Sequence, residues 1–208
     1  MEYWNSELTE KSWKILQELS GKKFEFVLIG GWAAYLWTNA HKSKDIDIVL
    51  KGFDALDFLK KNYKLIKNDS LKKYEIKFEE IDVDIYMPFF SKLAIPAEEL
   101  IKYATKIENI EVVKPEALLI LKQGAEIDRQ FSVKGEKDRV DIMALLLFAE
   151  IDFSQYLKLL EKYNLNQFYD RLKKIILNFN EIKYLGMVPR QFKIRKKEVL
   201  EKIRKQQG

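Results

Sequence analysis

The 208-residue sequence predicts an α/β (α+β) protein: a small mixed β-sheet core with flanking helices, followed by a mainly helical C-terminal region. Three observations carry that expectation. The segment VLIGGWAAYLWTNAHKSKDIDIVL reads as strand, glycine turn, short helix and strand. EIDVDIY alternates acidic and apolar residues with the period of a half-buried strand. After Pro96 the pattern changes, and most of what remains has helical apolar spacing.

The elements follow in order. Leu8, Trp13, Leu16 and Leu19 place a helix over residues 6–20, ending near Gly21. Phe24 to Ile29 is a short apolar strand, broken by Gly30-Gly31, and a helix begins at Trp32. Trp32 and Trp37 on that helix are expected in the core. Lys44 to Leu50 is a second strand and Phe53 to Asn62 a helix. Tyr74 to Phe78 and Ile81 to Tyr86 read as a hairpin, and Pro88 and Pro96 punctuate a loop. Ile110 to Val113 is one more strand, and Pro115 suits a helix start. Further helices are expected from about Lys137 to Glu150, Phe153 to Tyr163, Asn166 to Phe179 and Arg190 to Lys205. The expected division is a core with its N-terminal helix over residues 1–95 and a helical domain over 96–208.

Composition removes whole classes of chemistry. The chain has no cysteine, which excludes disulfides, thiolate zinc and cysteine catalysis and fits a cytoplasmic protein. It has a single histidine, His41. No run approaches the length of a membrane-spanning helix, so no membrane partner is expected. The N-terminus is amphipathic and charged, unlike a signal peptide. The polar chemistry must rest on carboxylates, lysines and arginines. The net charge of +5 is concentrated: Arg190 to Lys205 carries eight basic residues and two acidic ones, leaving the remainder near neutral. Such a helix suits RNA or another polyanion, and equally suits a solvated terminal helix.

Asp45 and Asp47, two apart on a strand, point to the same face. Paired oxygen ligands on a rigid strand suit Mg²⁺, and a glycine turn at a helix start suits a phosphate. Each feature alone is also an ordinary polar face or an ordinary tight turn. The strand carrying Asp82 and Asp84 adds weight. If it lies beside Lys44 to Leu50, three or four carboxylates converge, as two divalent ions about 4 Å apart require.

These residues resemble the DNA polymerase beta-like nucleotidyltransferase superfamily. Its pattern is an apolar residue, Gly-Gly or Gly-Ser, a short spacer, Asp-apolar-Asp or Glu, and a later strand with a third carboxylate. Here the counterparts are IGG at 29–31, DID at 45–47 and VDIY at 83–86. The resemblance implies that Asp45, Asp47 and Asp84 are catalytic and hold two Mg²⁺ ions, with Mn²⁺ as a substitute. Asp84 would serve the ion nearest the acceptor, and Asp82 is the alternative third ligand. Gly30 and Gly31 would cradle the β- and γ-phosphates of an NTP. HKSKDIDIV further looks like nucleotidyltransferases of abortive-infection and toxin–antitoxin systems, with Ser43 and Lys44 at phosphate-binding positions. His41 stands where that group often has arginine, so Lys42 or Lys44 takes its place. VVKPEALLILKQGAEIDR and KGEKDRVDIMAL look like the helices that follow there, which makes Lys122 a phosphate-binding candidate, with Arg129 on its face.

The implied function is Mg-dependent transfer of a nucleoside monophosphate from an NTP to a hydroxyl or phosphate on RNA, tRNA or a protein. The basic helix would take an RNA acceptor, and a toxin–antitoxin partner protein is a further implied partner. Two other readings stay open. One is a degenerate member that binds nucleotide or acts as an antitoxin without chemistry. The other is a small-molecule enzyme of the antibiotic-modifying type.

Overall fold

The computed structural model describes residues 6–205. The chain falls into two compact units, one running to Lys114 and one starting at Pro115.

The first unit holds α1 (Ser6–Ser20), β1 (Phe26–Ile29), α2 (Gly30–Thr38), β2 (Ile46–Leu50), α3 (Phe53–Asn62), β3 (Ile66–Asn68), β4 (Lys73–Phe78), β5 (Ile81–Tyr86), α4 (Ala97–Leu100), β6 (Ala104–Ile107) and β7 (Ile110–Val113). The strands form one mixed sheet in the order β3-β4-β5-β2-β1-β7-β6. β2 runs parallel to β5 and β1 parallel to β7. The other neighbours are antiparallel. Ile46, Ile48, Val83 and Ile85 are fully buried, because period-2 alternation puts all four on one side of the paired strands β2 and β5.

Two strands are absent from the sequence reading. β3 and β6 are the sheet's edges, short and without clean alternation, and they owe their conformation to pairing with β4 and β7. The first compact unit runs on to Lys114. β7 lies beside β1, so the chain through Val113 belongs to this sheet.

Helix α2 starts at Gly30, two residues earlier than its apolar run suggests. It stops where Asn39 takes a left-handed conformation (φ 52°) and donates its N–H to the Tyr35 carbonyl. Trp32 is fully buried; its indole donates to Ser12 Oγ at 2.8 Å and its ring meets Trp13 on α1 at 5.0 Å. Trp37 is half-buried and donates to the Val113 carbonyl at 2.9 Å, tying α2 to β7. A buried indole needs such an acceptor, and both tryptophans have one.

The second unit is helical: α5 (Pro115–Asp128), α6 (Val133–Phe148), α7 (Phe153–Lys162), α8 (Gln167–Asn178) and α9 (Pro189–Lys205). Ser132 caps α6 by accepting from the Gly135 N–H, which starts that helix before Lys137. Asp152 caps α7 by accepting from the Gln155 N–H. Buried Gln123 receives the Tyr156 hydroxyl proton at 2.7 Å and donates to the Phe168 carbonyl at 2.7 Å, linking α5 to α7 and α8. Fully buried Glu126 is gripped by two guanidinium groups, Arg171 at 2.6 and 2.8 Å and Arg139 at 3.0 Å. Among the described residues no helix is long and apolar enough to cross a membrane.

Candidate active site

The glycine turn and the aspartate pair meet. Gly30 has φ +70°, and a Cβ there would overlap the Asp47 carboxylate. A Cβ on Gly31 would stand 2.6 Å from Ser43 Oγ. Only hydrogen fits at either position, so the glycines let the start of α2 close down on Asp47 and Ser43. Ser43 is buried, and Lys44 and Asp45 are half-buried in the bend that leads into β2. Asp45 Oδ1 is buried and has no hydrogen-bond partner among the described residues.

Strand β5 lies next to β2 with Asp84 in register with Asp47, and β4 lies on its other side with Glu75 in register with Asp84. Asp47, Asp84 and Glu75 thus form a row across three strands. Lys73 reaches into it, with Nζ 2.6 Å from Asp84 Oδ2 and 3.2 Å from Glu75 Oε1. Asn68 donates to Glu75 Oε1 at 3.1 Å, and the Tyr86 hydroxyl lies 3.5 Å from Asp47 Oδ1. Asp82 sits one pleat away in register with Lys77, outside this row.

The electrostatics follow from the row. Burial and then the charge of Asp47 push the Asp84 carboxyl up to about 6, against the pull of Lys73. Burial works against the Lys73 ammonium, yet Asp84 and Glu75 hold it above the ordinary lysine value. Burial also works against the Glu75 charge, but Asn68 and Lys73 keep its carboxyl below the usual range.

Among the described residues no group of three or more His, Cys, Asp or Glu side chains forms a ready metal cage. The donors still suit a hard divalent cation. They are the Asp47 and Asp84 carboxylates on adjacent strands and, in the bend before β2, the Asp45 carboxylate with one buried oxygen that has no partner among the described residues, near glycines at a helix N-terminus. Asp47 and Asp84, in register on neighbouring strands, and Asp45, just before β2, are the residues that would hold such an ion.

Lys122 lies on α5 in the second unit, buried, with Nζ 2.6 Å from Asp141 Oδ2 and 3.6 Å from Asp138 Oδ1. Arg129 forks onto Asp138 at 2.7 and 3.0 Å. The fold thus gathers into one ion-pair cluster the lysine, the arginine and the two aspartates that stand out in KQGAEIDR and KDRVDI. A separate cavity of about 310 Å³ in this unit is bounded by Glu126, Arg139, Arg171 and Phe179. None of the expected site residues lines it.

Lys73 and Glu75 were not singled out in the sequence. Their signal was present, since Lys73-Tyr74-Glu75 alternates beside an acidic strand. Which face they share with Asp84 depends on the hairpin register.

No protein-family model and no curated protein matches this chain. Solved structures do. A protein from Helicobacter pylori described as a candidate nucleotidyltransferase is 18% identical, covers 95% of this chain and 95% of its own, and superposes with a TM-score of 0.52. JHP933 from Helicobacter pylori is 18% identical over 98% of this chain and 96% of its own, with a TM-score of 0.49. An antigenic nucleotidyltransferase-like protein from Paracoccidioides brasiliensis is 15% identical over 69% of this chain and 77% of its own, with a TM-score of 0.43. The likeness to the first of these is one of fold.

Proposed function

We propose that this chain transfers a nucleoside monophosphate from an NTP to a hydroxyl or phosphate acceptor, using two Mg²⁺ ions. The observation that carries the proposal is the meeting of Gly30 with Asp47, and of Asp47 with Asp84, at one end of β2. Asp45, Asp47 and Asp84 hold the ions. Gly30, Gly31, Ser43 and Lys44 receive the triphosphate at the start of α2, where backbone N–H groups and the helix dipole favour an anion. The resemblance also implies a phosphate-binding role for Lys122. The ions, when bound, lower the pKa of the acceptor and neutralise charge on the leaving pyrophosphate. The acceptor oxygen bonds to the α-phosphorus, and the bond from that phosphorus to its bridging oxygen breaks. Pyrophosphate leaves with the electron pair, and the acceptor proton passes to a carboxylate or solvent. The chain's own contribution is positioning and fixed charge.

An RNA acceptor is proposed from α9. Arg190, Lys193, Arg195, Lys197, Lys202, Arg204 and Lys205 are all exposed there, while Phe192, Val199 and Ile203 anchor the helix. Incubation with each labelled NTP, Mg²⁺ and total RNA tests both points. Label in RNA, with uptake falling steeply as salt rises, supports the full reading. Label in the protein itself indicates a protein acceptor. A second reading, nucleotide binding without chemistry, draws on the Lys73 ammonium already seated on Asp84. It expects label nowhere. Activity surviving in Asp45→Asn/Asp47→Asn would sink the assignment of these residues.

A further inference from the structure

The carboxylate row has its own cation. Lys73, Glu75 and Asp84 have side chains only 12%, 16% and 18% exposed, so water screens them weakly. Without Lys73 the in-register anions Asp47, Asp84 and Glu75 would repel one another. Yet an ammonium 2.6 Å from Asp84 Oδ2 takes an oxygen that a divalent ion needs. Two cations on one carboxylate repel, so Lys73 and the ion compete for it. Glu75 supplies the alternative berth. It already lies 3.2 Å from Nζ and is fixed by Asn68 from β3, and the flexible lysine stem lets the head move between the two acids.

We infer that Lys73 is an internal counter-ion that holds Asp84 in the metal-free protein and withdraws onto Glu75 when a divalent cation binds. Lys73 is thus a positioning residue that sets metal affinity, and Glu75 acts through it rather than as a metal ligand. The inference rests on the assignment of Asp45, Asp47 and Asp84 as metal ligands.

The test is Mn²⁺ binding to the full chain by calorimetry at pH 8, without nucleotide, where the carboxylates are ionised. Lys73→Met is expected to tighten Mn²⁺ about tenfold, since a competing buried charge is gone, while lowering the melting temperature of the metal-free protein. Glu75→Gln removes the berth, keeps Lys73 on Asp84, and is expected to weaken Mn²⁺ by about threefold or more. The double variant then binds as tightly as Lys73→Met, because Glu75 has no role once the lysine is absent. Unchanged or weaker binding in Lys73→Met overturns the inference, as does a double variant that binds weakly, which would make Glu75 a ligand. If Lys73→Met does not fold, Glu75→Gln decides, and unchanged affinity there overturns it. Absence of Mn²⁺ binding in the unaltered protein would instead sink the metal-ligand assignment itself.

Discussion

Asp47 on β2 and Asp84 on β5 are register partners across a parallel strand pair, so two carboxylates 37 positions apart in sequence stand side by side. Burial, and then the charge of Asp47, raises the Asp84 carboxyl to about 6. An acid raised in the folded state binds its proton more tightly folded than unfolded. Its favourable contribution is full below the unfolded value near 4 and is lost as pH rises through about 6. Urea denaturation in EDTA across that window is expected to show stability falling by on the order of 2–3 kcal/mol more in the parent protein than in Asp84→Asn. Parallel curves would show that Asp84 carries no such strain.

Gly30→Ala places a methyl group on the Asp47 carboxylate and forces a left-handed residue to carry a Cβ. The backbone alone costs about 1–2 kcal/mol, and the displaced carboxylate is expected to lose nucleotidyl transfer by about 100-fold or more. Gly31→Ala meets the Ser43 side chain at 2.6 and 2.8 Å but carries no left-handed backbone penalty, so its expected losses are smaller in both assays. Melting curves and initial rates on the two variants check the order.

Lys122→Met leaves the Asp141 carboxylate buried without the ammonium that meets it, while Asp138 keeps the Arg129 fork. Breaking one side of a buried pair costs about 3 kcal/mol or more. Lys122→Met/Asp141→Leu removes both charges and is expected to recover stability in urea. Transfer activity that stays lost in this stable double variant supports the phosphate role of Lys122. Activity that returns with stability marks the pair as structural.

Glu126 is the anchor of the second unit, fully buried between Arg139 and Arg171. Glu126→Ala takes the counter-charge from two partly buried guanidinium groups, leaving them their hydrogen bonds to Gln130, and is expected to cost about 3 kcal/mol, read as a lower urea midpoint. Conservative Glu126→Gln keeps acceptor capacity on one atom and should cost less.

Some of the site is legible in the chain alone. Gly30-Gly31 announces a tight turn because glycine takes the left-handed conformation that Gly30 adopts at no steric cost. Ile46 and Ile48, or Val83 and Ile85, announce which face of each strand is buried, since side-chain period is a local property of the backbone. Helix α6 begins before its apolar repeat because its start is set by the Ser132 cap, a hydrogen bond from the Gly135 N–H. Edge strands β3 and β6 leave no alternating pattern in the sequence because their structure is induced by their neighbours.

By itself the sequence determined the strand–glycine turn–helix–strand unit and the helical second half. Both follow from interactions within a few residues. Tertiary structure alone decided that Asp84 rather than Asp82 stands in register with Asp47, that Glu75 extends the row, and that Lys73 sits inside it. Strand neighbours and register are set by packing over tens of residues, and a shift of two residues would exchange Asp84 for Asp82 without changing which side chains face the core.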